Sequence, residues 1–300
     1  MSKFASAGRV VVGIDGSVSA GTAAEWAARR AEALGVGLTM VAVLPPLRVP
    51  RSLSEMMRQK ADDYAIRVVE ASREKLEADA AELRAAHPRL DVETALVENS
   101  EPAVELVRAT QDALVVVAGA RGIGSAKPMA LGSVSRHLVT HAQGLVAVIP
   151  DTGLAIEPSF AGTVVVGVQE AGSSPALLVA AEEARRLGGR LVVSHSWEYS
   201  PVGIDGLPTM DVALFAQTSQ ELTARVAEEV RARVGDDIPF EVRVDIGHAG
   251  ETLLELSHEA ELVVVGSRGR SGLSGMLLGS TAIHVLRQSI SPVLLVPIKD

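Results

Sequence analysis

Residues 113–138 read ALVVVAGARGIGSAKPMALGSVSRHL, and residues 260–285 read AELVVVGSRGRSGLSGMLLGSTAIHV. The two stretches align without a gap at a constant offset of 147 residues, and the match continues into VAVIP (146–150) and VLLVP (293–297). Upstream, RVVVGID (9–15) is echoed by TVVVGVQ (163–169). Self-similarity on this scale means two copies of one structural unit, and 300 residues are enough for two domains that each bury a core. Between the copies, DTGLAIEPSFAG (151–162) contains Pro and Gly and has no sustained periodicity, so it reads as a linker. The expected domains are 1–152 and 161–300.

Outward from the repeat, β-branched apolar runs alternate with longer amphipathic segments. In the first copy the runs are VVVGI, LTMVAVL, VETALV, LVVVAG and LVAVIP, and helical periodicity covers 20–34, roughly 54–86, 101–110 and 132–142. The second copy has its runs at 164–168, 191–196, 240–246, 262–266 and 293–296. Several runs are apolar along their whole length, which requires cover on both faces. Five strands interleaved with helices in each copy imply an α/β fold of two tandem, doubly wound parallel sheets. Such sheets bind ligands at the carboxyl ends of their strands, near the point where strand order reverses. The loops after the first and fourth strands therefore fall on the functional edge.

Composition narrows the chemistry. The chain has no cysteine, which excludes disulfides and Cys-based zinc sites. Its net charge of −9 argues against nucleic acid or an anionic membrane as the main partner, since both reward a basic surface. No apolar run approaches the ~20 residues of a membrane span, and MSKFASAGRVVVGID lacks the apolar stretch of a signal peptide. A cytoplasmic location is expected.

An anionic ligand would need a local device, and the glycine loops supply one. The first loop runs Gly119, Ala120, Arg121, Gly122, nine residues, Gly132, Ser133; the second runs Gly266, Ser267, Arg268, Gly269, nine residues, Gly279, Ser280. Each leads into a helix whose first turn carries a hydroxyl, and the free N–H groups of such a turn attract phosphate. No Asp or Glu occurs from Gly119 to Ser135 or from Gly266 to Ala282, whereas Arg121, Lys127, Arg268 and Arg270 do. A glycine-rich strand–helix turn is common on its own; recurrence at identical spacing favours two anion sites.

The terminal Asp of the first strand, together with G-x2-G-x9-G-[ST] after the fourth, resembles the universal stress protein family, and more narrowly its tandem two-domain actinobacterial members. The resemblance covers nearly the whole chain. It implies a Rossmann-like sheet of order 3-2-1-4-5 in each half and ATP binding, often with Mg²⁺, with weak or no hydrolysis. It assigns Gly119, Gly122, Gly132, Ser133, Val134 and Ser135 to phosphate and ribose, Asp15 to the nucleoside end, and the main chain of Val43 to adenine. Gly13 and Arg121 complete the first set. The counterpart set is Gly167, Gln169, Ser196, Gly266, Arg268, Gly269, Gly279, Ser280, Thr281 and Ala282. Gln169 stands where the family has Asp, and an amide accepts a hydrogen bond more weakly than a carboxylate. Two sites are expected, the first tighter.

Other features read as structural. His137 and His284 sit one turn past the loop serines and are expected to fill space or bond locally. The remaining histidines show no metal-site spacing, and no metal ligand or catalytic residue is assigned. Gly119–Gly124 has Walker-type glycine spacing but ends in Ser125 where a P-loop needs Lys. Segment 54–86 reads as a solvated helix with i,i+4 pairs. The expected function is a nucleotide-dependent regulator of stress or dormancy, acting through conformation or association with a protein partner. The alternative is a slow ATPase or nucleotide hydrolase of the same fold. The apolar last strands, LVAVIP and VLLVP, would be exposed sheet edges unless paired; an internal pseudo-dimer of the halves and a homodimer of chains are expected.

Overall fold

The computed structural model describes residues 3–47, 50, 54–122, 131–151, 160–169, 174–197, 212–267 and 278–298. The chain divides into two compact units, Met1–Asp151 and Thr152–Asp300. Unit 1 contains β1 (Val10–Gly13), α1 (Val18–Leu34), β2 (Leu38–Val43), α2 (Glu55–Ala86), β3 (Val92–Val97), α3 (Pro102–Ala109), β4 (Val115–Gly119), α4 (Ser133–His141) and β5 (Val146–Ile149). Unit 2 contains β6 (Thr163–Gly167), α5 (Pro175–Arg186), β7 (Arg190–Trp197), α6 (Val212–Val234), β8 (Phe240–Ile246), α7 (Ala249–Ser257), β9 (Leu262–Gly266), α8 (Ser280–Gln288) and β10 (Val293–Val296).

The strands of unit 1 lie in the order β3-β2-β1-β4-β5, all parallel, with Val10 opposite both Leu38 and Val115. Unit 2 repeats the order as β8-β7-β6-β9-β10. The α/β doubly wound fold expected from the apolar runs is the one observed. Val10, Val11, Val12, Val116 and Val117 are fully buried, as strands covered on both faces must be. Helices α1 and α2 pack against each other on the sheet, as do α3 and α4. Unit 2 pairs α5 with α6 and α7 with α8 in the same way.

Local signals set the helix ends. Ser17 caps α1 by accepting from the Ala20 amide at 3.1 Å, and Gly35 ends it in the left-handed region at φ 66. Helix α1 buries Ala20, Ala23, Ala24, Ala27, Ala28 and Ala31, a small-residue stripe that lets its backbone lie close to the strands. Helix α2 buries only Leu76, Ala80 and Leu83, all in its last third, so the solvated reading of 54–86 is correct for most of its length.

His87, at the C-cap of α2, fastens that helix to α1. Its Nδ1 lies 2.9 Å from Glu32 and its Nε2 lies 3.2 Å from Glu25, which also pairs with Arg29 at 3.4 Å. Only the imidazolium donates from both nitrogens. The Glu32 contact, with help from Glu25, raises the His87 pKa against the opposing effect of burial. A raised folded pKa makes this stabilisation complete below the unfolded value near 6.5, and it fades as pH rises through the folded pKa. His87→Gln is expected to cost about 1 kcal/mol, roughly 2–4 °C of melting temperature, at about pH 6 and less at about pH 8.5. Equal losses in calorimetric melts at both pH values would contradict the clamp.

Candidate functional site

Strand order reverses between β1 and β4, so their carboxyl ends meet in one crevice. Beyond β1 the chain turns through Gly16, at φ 83, into the Ser17 cap, and Asp15 Oδ1 accepts from the Ser17 amide at 2.9 Å. The other carboxylate oxygen faces the loop after β4: a Cβ placed on Gly122 would lie 2.6 Å from Asp15 Oδ2. At the end of β4, Gly119 lies so close to α1 that a Cβ there would come within 2.9 Å of the Ser19 carbonyl carbon. The Arg121 amide reaches Ser19 Oγ at 3.4 Å.

Among the described residues, the ends of the loop are joined by the Gly132 amide donating to the Ala120 carbonyl at 2.8 Å. This sets the N-terminus of α4 beside Arg121 and Gly122, each within 3.6 Å of a Cβ built on Gly132. Gly132 is the N-cap, and α4 has no side-chain cap among the described residues. Among the described residues no side chain takes its first-turn amides, an arrangement that can receive an anion. Ser133 is exposed and Val134 half-buried at this end.

Asp15, assigned to the nucleoside end, and Val43, assigned to adenine, line one pocket of about 310 Å³ with Gly16, Ala42, Ser72 and Lys75. That volume is at the lower end of the ~300–1,000 Å³ usual for small-molecule sites. Lys75 is ion-paired with Asp79 in the same wall. A larger apolar cleft of about 680 Å³ adjoins it, lined by Leu44, Pro46, Tyr64, Ile66 and Val69 among others, and contains none of the residues assigned from sequence.

Unit 2 reproduces the loop closure at the same offset. The Gly279 amide donates to the Ser267 carbonyl at 2.8 Å, and Gly279 is the N-cap of α8, again with no side-chain cap among the described residues. Ser280 is exposed, Thr281 half-buried and Ala282 buried, matching Ser133, Val134 and Ser135 in order. Gln169 is exposed beyond β6. Ser196, at the register position of Val43, bonds Thr252 Oγ1 at 3.4 Å. Its neighbour His195 is held below the usual histidine pKa by burial, partly offset by the Val168 carbonyl at 3.2 Å, and so presents a neutral ring at pH 7. Gly266 ends β9 as Gly119 ends β4. Arg268, Gly269, Arg270 and Lys127 lie outside the described residues, as does most of the linker.

Four assigned residues have roles inside the fold. Gly13 and Gly167 face the opposite layer: a Cβ on Gly13 would lie 2.9 Å from Leu106 Cδ1, and one on Gly167 would lie 2.7 Å from Leu253 Cδ1. These glycines admit α3 and α7 to the sheet. Ser135 is buried and its hydroxyl donates to the Gly119 carbonyl at 2.6 Å, so it ties α4 to β4. Ala282 is likewise buried and has no hydroxyl to offer.

The reading of the first loop as cleared of acids holds along the chain but not in space. Strands β1 and β5 flank β4, so the residues that follow them, Asp15 and Asp151, arrive beside the β4 loop. Asp151 forms an ion pair with Arg121. Sequence reasoning missed Asp151 and Ser19. The repeat held a signal for the first, since the offset of 147 puts Ile298 at its counterpart.

His137 and His284, expected to fill space or bond locally, both make local contacts. His137 stacks on His141 with ring centroids 4.1 Å apart, and His284 contacts Glu251 at 3.0 Å and Gln288. Among the described residues, no group of three or more His, Asp or Glu gathers as a metal site, and no helix is long and apolar enough to cross a membrane.

The profile of the Universal stress protein family matches residues 7–150 and again 161–297. Universal stress protein Rv2005c of Mycobacterium tuberculosis is 33% identical over 302 residues, covering 98% of each chain. Universal stress protein Rv1996 of the same organism is 34% identical over 300 residues, covering 95% of this chain and 93% of its own. Among solved structures, a universal stress protein from Archaeoglobus fulgidus matches 96% of this chain and 98% of its own, with a TM-score of 0.58 and 21% identity. That likeness supports the fold.

Proposed function

We infer a function from one premise: this chain belongs to the universal stress protein family. We propose that each half binds an adenine nucleotide, ATP, and that the chain acts as a cytoplasmic regulator of a stress or dormancy response through conformation or association. The reading is carried by a duplicated geometry. In both halves a glycine N-cap donates a 2.8 Å main-chain bond back to the start of the fourth-strand loop, and the next helix has no side-chain cap among the described residues.

In the first half, the α4 first-turn amides and Ser133 would hold phosphate oxygens. Asp15 would accept from nucleoside hydroxyl or amino groups, and the main chain of Val43 would meet the base. Mg²⁺, where it accompanies the nucleotide, would neutralise the phosphates. Gln169 in place of Asp15 makes the second site the weaker. Homodimer formation belongs to the same proposal, with sedimentation velocity as its measurement.

The test is mass spectrometry of nucleotide released from the denatured purified protein, followed by ATP titration. Turnover below about one per minute fits a regulator, against ~1–10³ per second for ordinary enzymes. Retained nucleotide must raise the melting temperature if it binds only the folded state. No retained nucleotide and no thermal shift with ATP would overturn the reading.

Asp15→Ala tests the nucleoside end separately. The second site is first disabled by Gly279→Asp, which sets a carboxylate on the α8 amides. Loss of one charge-assisted acceptor should then weaken ATP about tenfold in the first half, with the melting temperature of the apo protein nearly unchanged. Unchanged affinity would remove Asp15 from the site.

A further inference from the structure

The Arg121–Asp151 ion pair stands at the mouth of the first glycine loop, partly buried, with side chains 33% and 26% exposed. Arg121 has its Cα within 3.6 Å of a Cβ built on Gly132, which puts its backbone against the α4 N-terminus. The residue adds a full positive charge where the helix end supplies only a partial one. That charge is engaged by Asp151, the second residue after β5. In the second half Ile298 occupies the position equivalent to Asp151, and its amide donates to Ser267 Oγ at 2.9 Å.

We propose that Asp151 is a specificity-determining residue of the first site: its carboxylate competes with ligand phosphate for Arg121, so that only a ligand with several negative charges recruits the arginine. The inference rests on the nucleotide reading above and deepens it. A monophosphate is held by the backbone amides while Arg121 stays with Asp151. A polyphosphate offers the guanidinium more charge than one carboxylate, draws Arg121 away, and leaves Asp151 to solvent. Arg suits this exchange because its planar fork binds carboxylate and phosphate through the same donors. In the second half Ile298 stands in place of Asp151, so this particular carboxylate is missing from the sequence there.

The experiment is a double-mutant cycle by calorimetric titration with AMP, ADP and ATP, in chains carrying G279D so that one site is read. D151N is nearly isosteric and removes the competing charge; R121Q removes its object. We expect D151N to tighten ATP by roughly three- to tenfold, ADP by less, and AMP within about twofold of the parent. In the R121Q background, the same Asp151→Asn change should have no effect beyond about twofold. Thermal melts of each apo variant check that the fold is retained, and D151I, which copies the second half, repeats the test if D151N melts early.

ATP binding that D151N leaves unchanged or weakens overturns this inference and spares the nucleotide reading. A gain that persists in full with R121Q, or that is equal for AMP and ATP, also overturns it, because general relief of repulsion then explains the effect. Failure of the G279D parent and of D151N alike to bind ATP overturns both.

Discussion

Gly132→Asp is expected to lower the ATP affinity proposed for the first half by on the order of a hundredfold or more, and to leave the fold as stable or slightly more so. The opposite signs make the result diagnostic. Gly132 has φ −60 and ψ 158, an extended conformation open to any residue. A Cβ there meets the Ala120 carbonyl at 3.4 Å, a tight contact that a small adjustment relieves. Aspartate is among the best N-cap residues, better than glycine by a few tenths of a kcal/mol. Its carboxylate would take the α4 amides and add a negative charge beside the phosphates. Losing two charge-assisted hydrogen bonds is worth about 3 kcal/mol, and each 1.4 kcal/mol is tenfold in affinity. Calorimetric titration in the G279D background and a melt of the apo protein provide both readings. Retained affinity would mean that phosphate does not sit on α4, and the proposed site would fail with it.

Gly119→Ala should act in the other direction, on stability first. The new methyl would lie 2.2 Å from Ser19 Oγ and 2.9 Å from the Ser19 carbonyl carbon. A hydroxyl can rotate, but the carbonyl carbon belongs to the first turn of α1 and cannot yield without moving the helix. Overpacking at such a rigid contact costs about 3 kcal/mol, roughly 6–12 °C for a unit of this size. At Gly122 the added methyl meets, among the described residues, the tip of Asp15, which can turn away. An unchanged melting temperature for Gly119→Ala would show that α1 does not press on β4 as described.

Much of the architecture was legible because its signals are local and repeated. Runs such as VVVGI and LVVVAG are too apolar for a half-exposed strand, and the interleaved amphipathic periods leave a parallel sheet as the consistent solution. Helix α2 was placed to within about two residues by its helical periodicity. The site was legible as a set of positions: Asp15 and Val43, 28 residues apart, share a pocket because β1 and β2 are neighbours. Absence of acids along a loop, by contrast, is a one-dimensional fact, and Asp15 and Asp151 reach the β4 loop from adjacent strands. Hydroxyls are equally ambiguous in one dimension. Ser133 and Ser135 look alike in SVS, yet one is exposed and the other is buried against Gly119 because a helix turns about 200° over two positions.

The pairing of Val10 with Val115 closes a chain segment of about a hundred residues, which bears on how the protein is made. Strand β1 must wait for β4, and β4 gains its outer neighbour only when β5 has emerged from the ribosome. At ~5–20 residues per second, the roughly one hundred residues that separate β1 from β4 take about 5–20 s to be added. High contact order also slows the final docking of parallel strands. A nascent chain arrested before β4 would therefore carry β1, α1, β2, α2 and β3 with one edge of β1 unpaired.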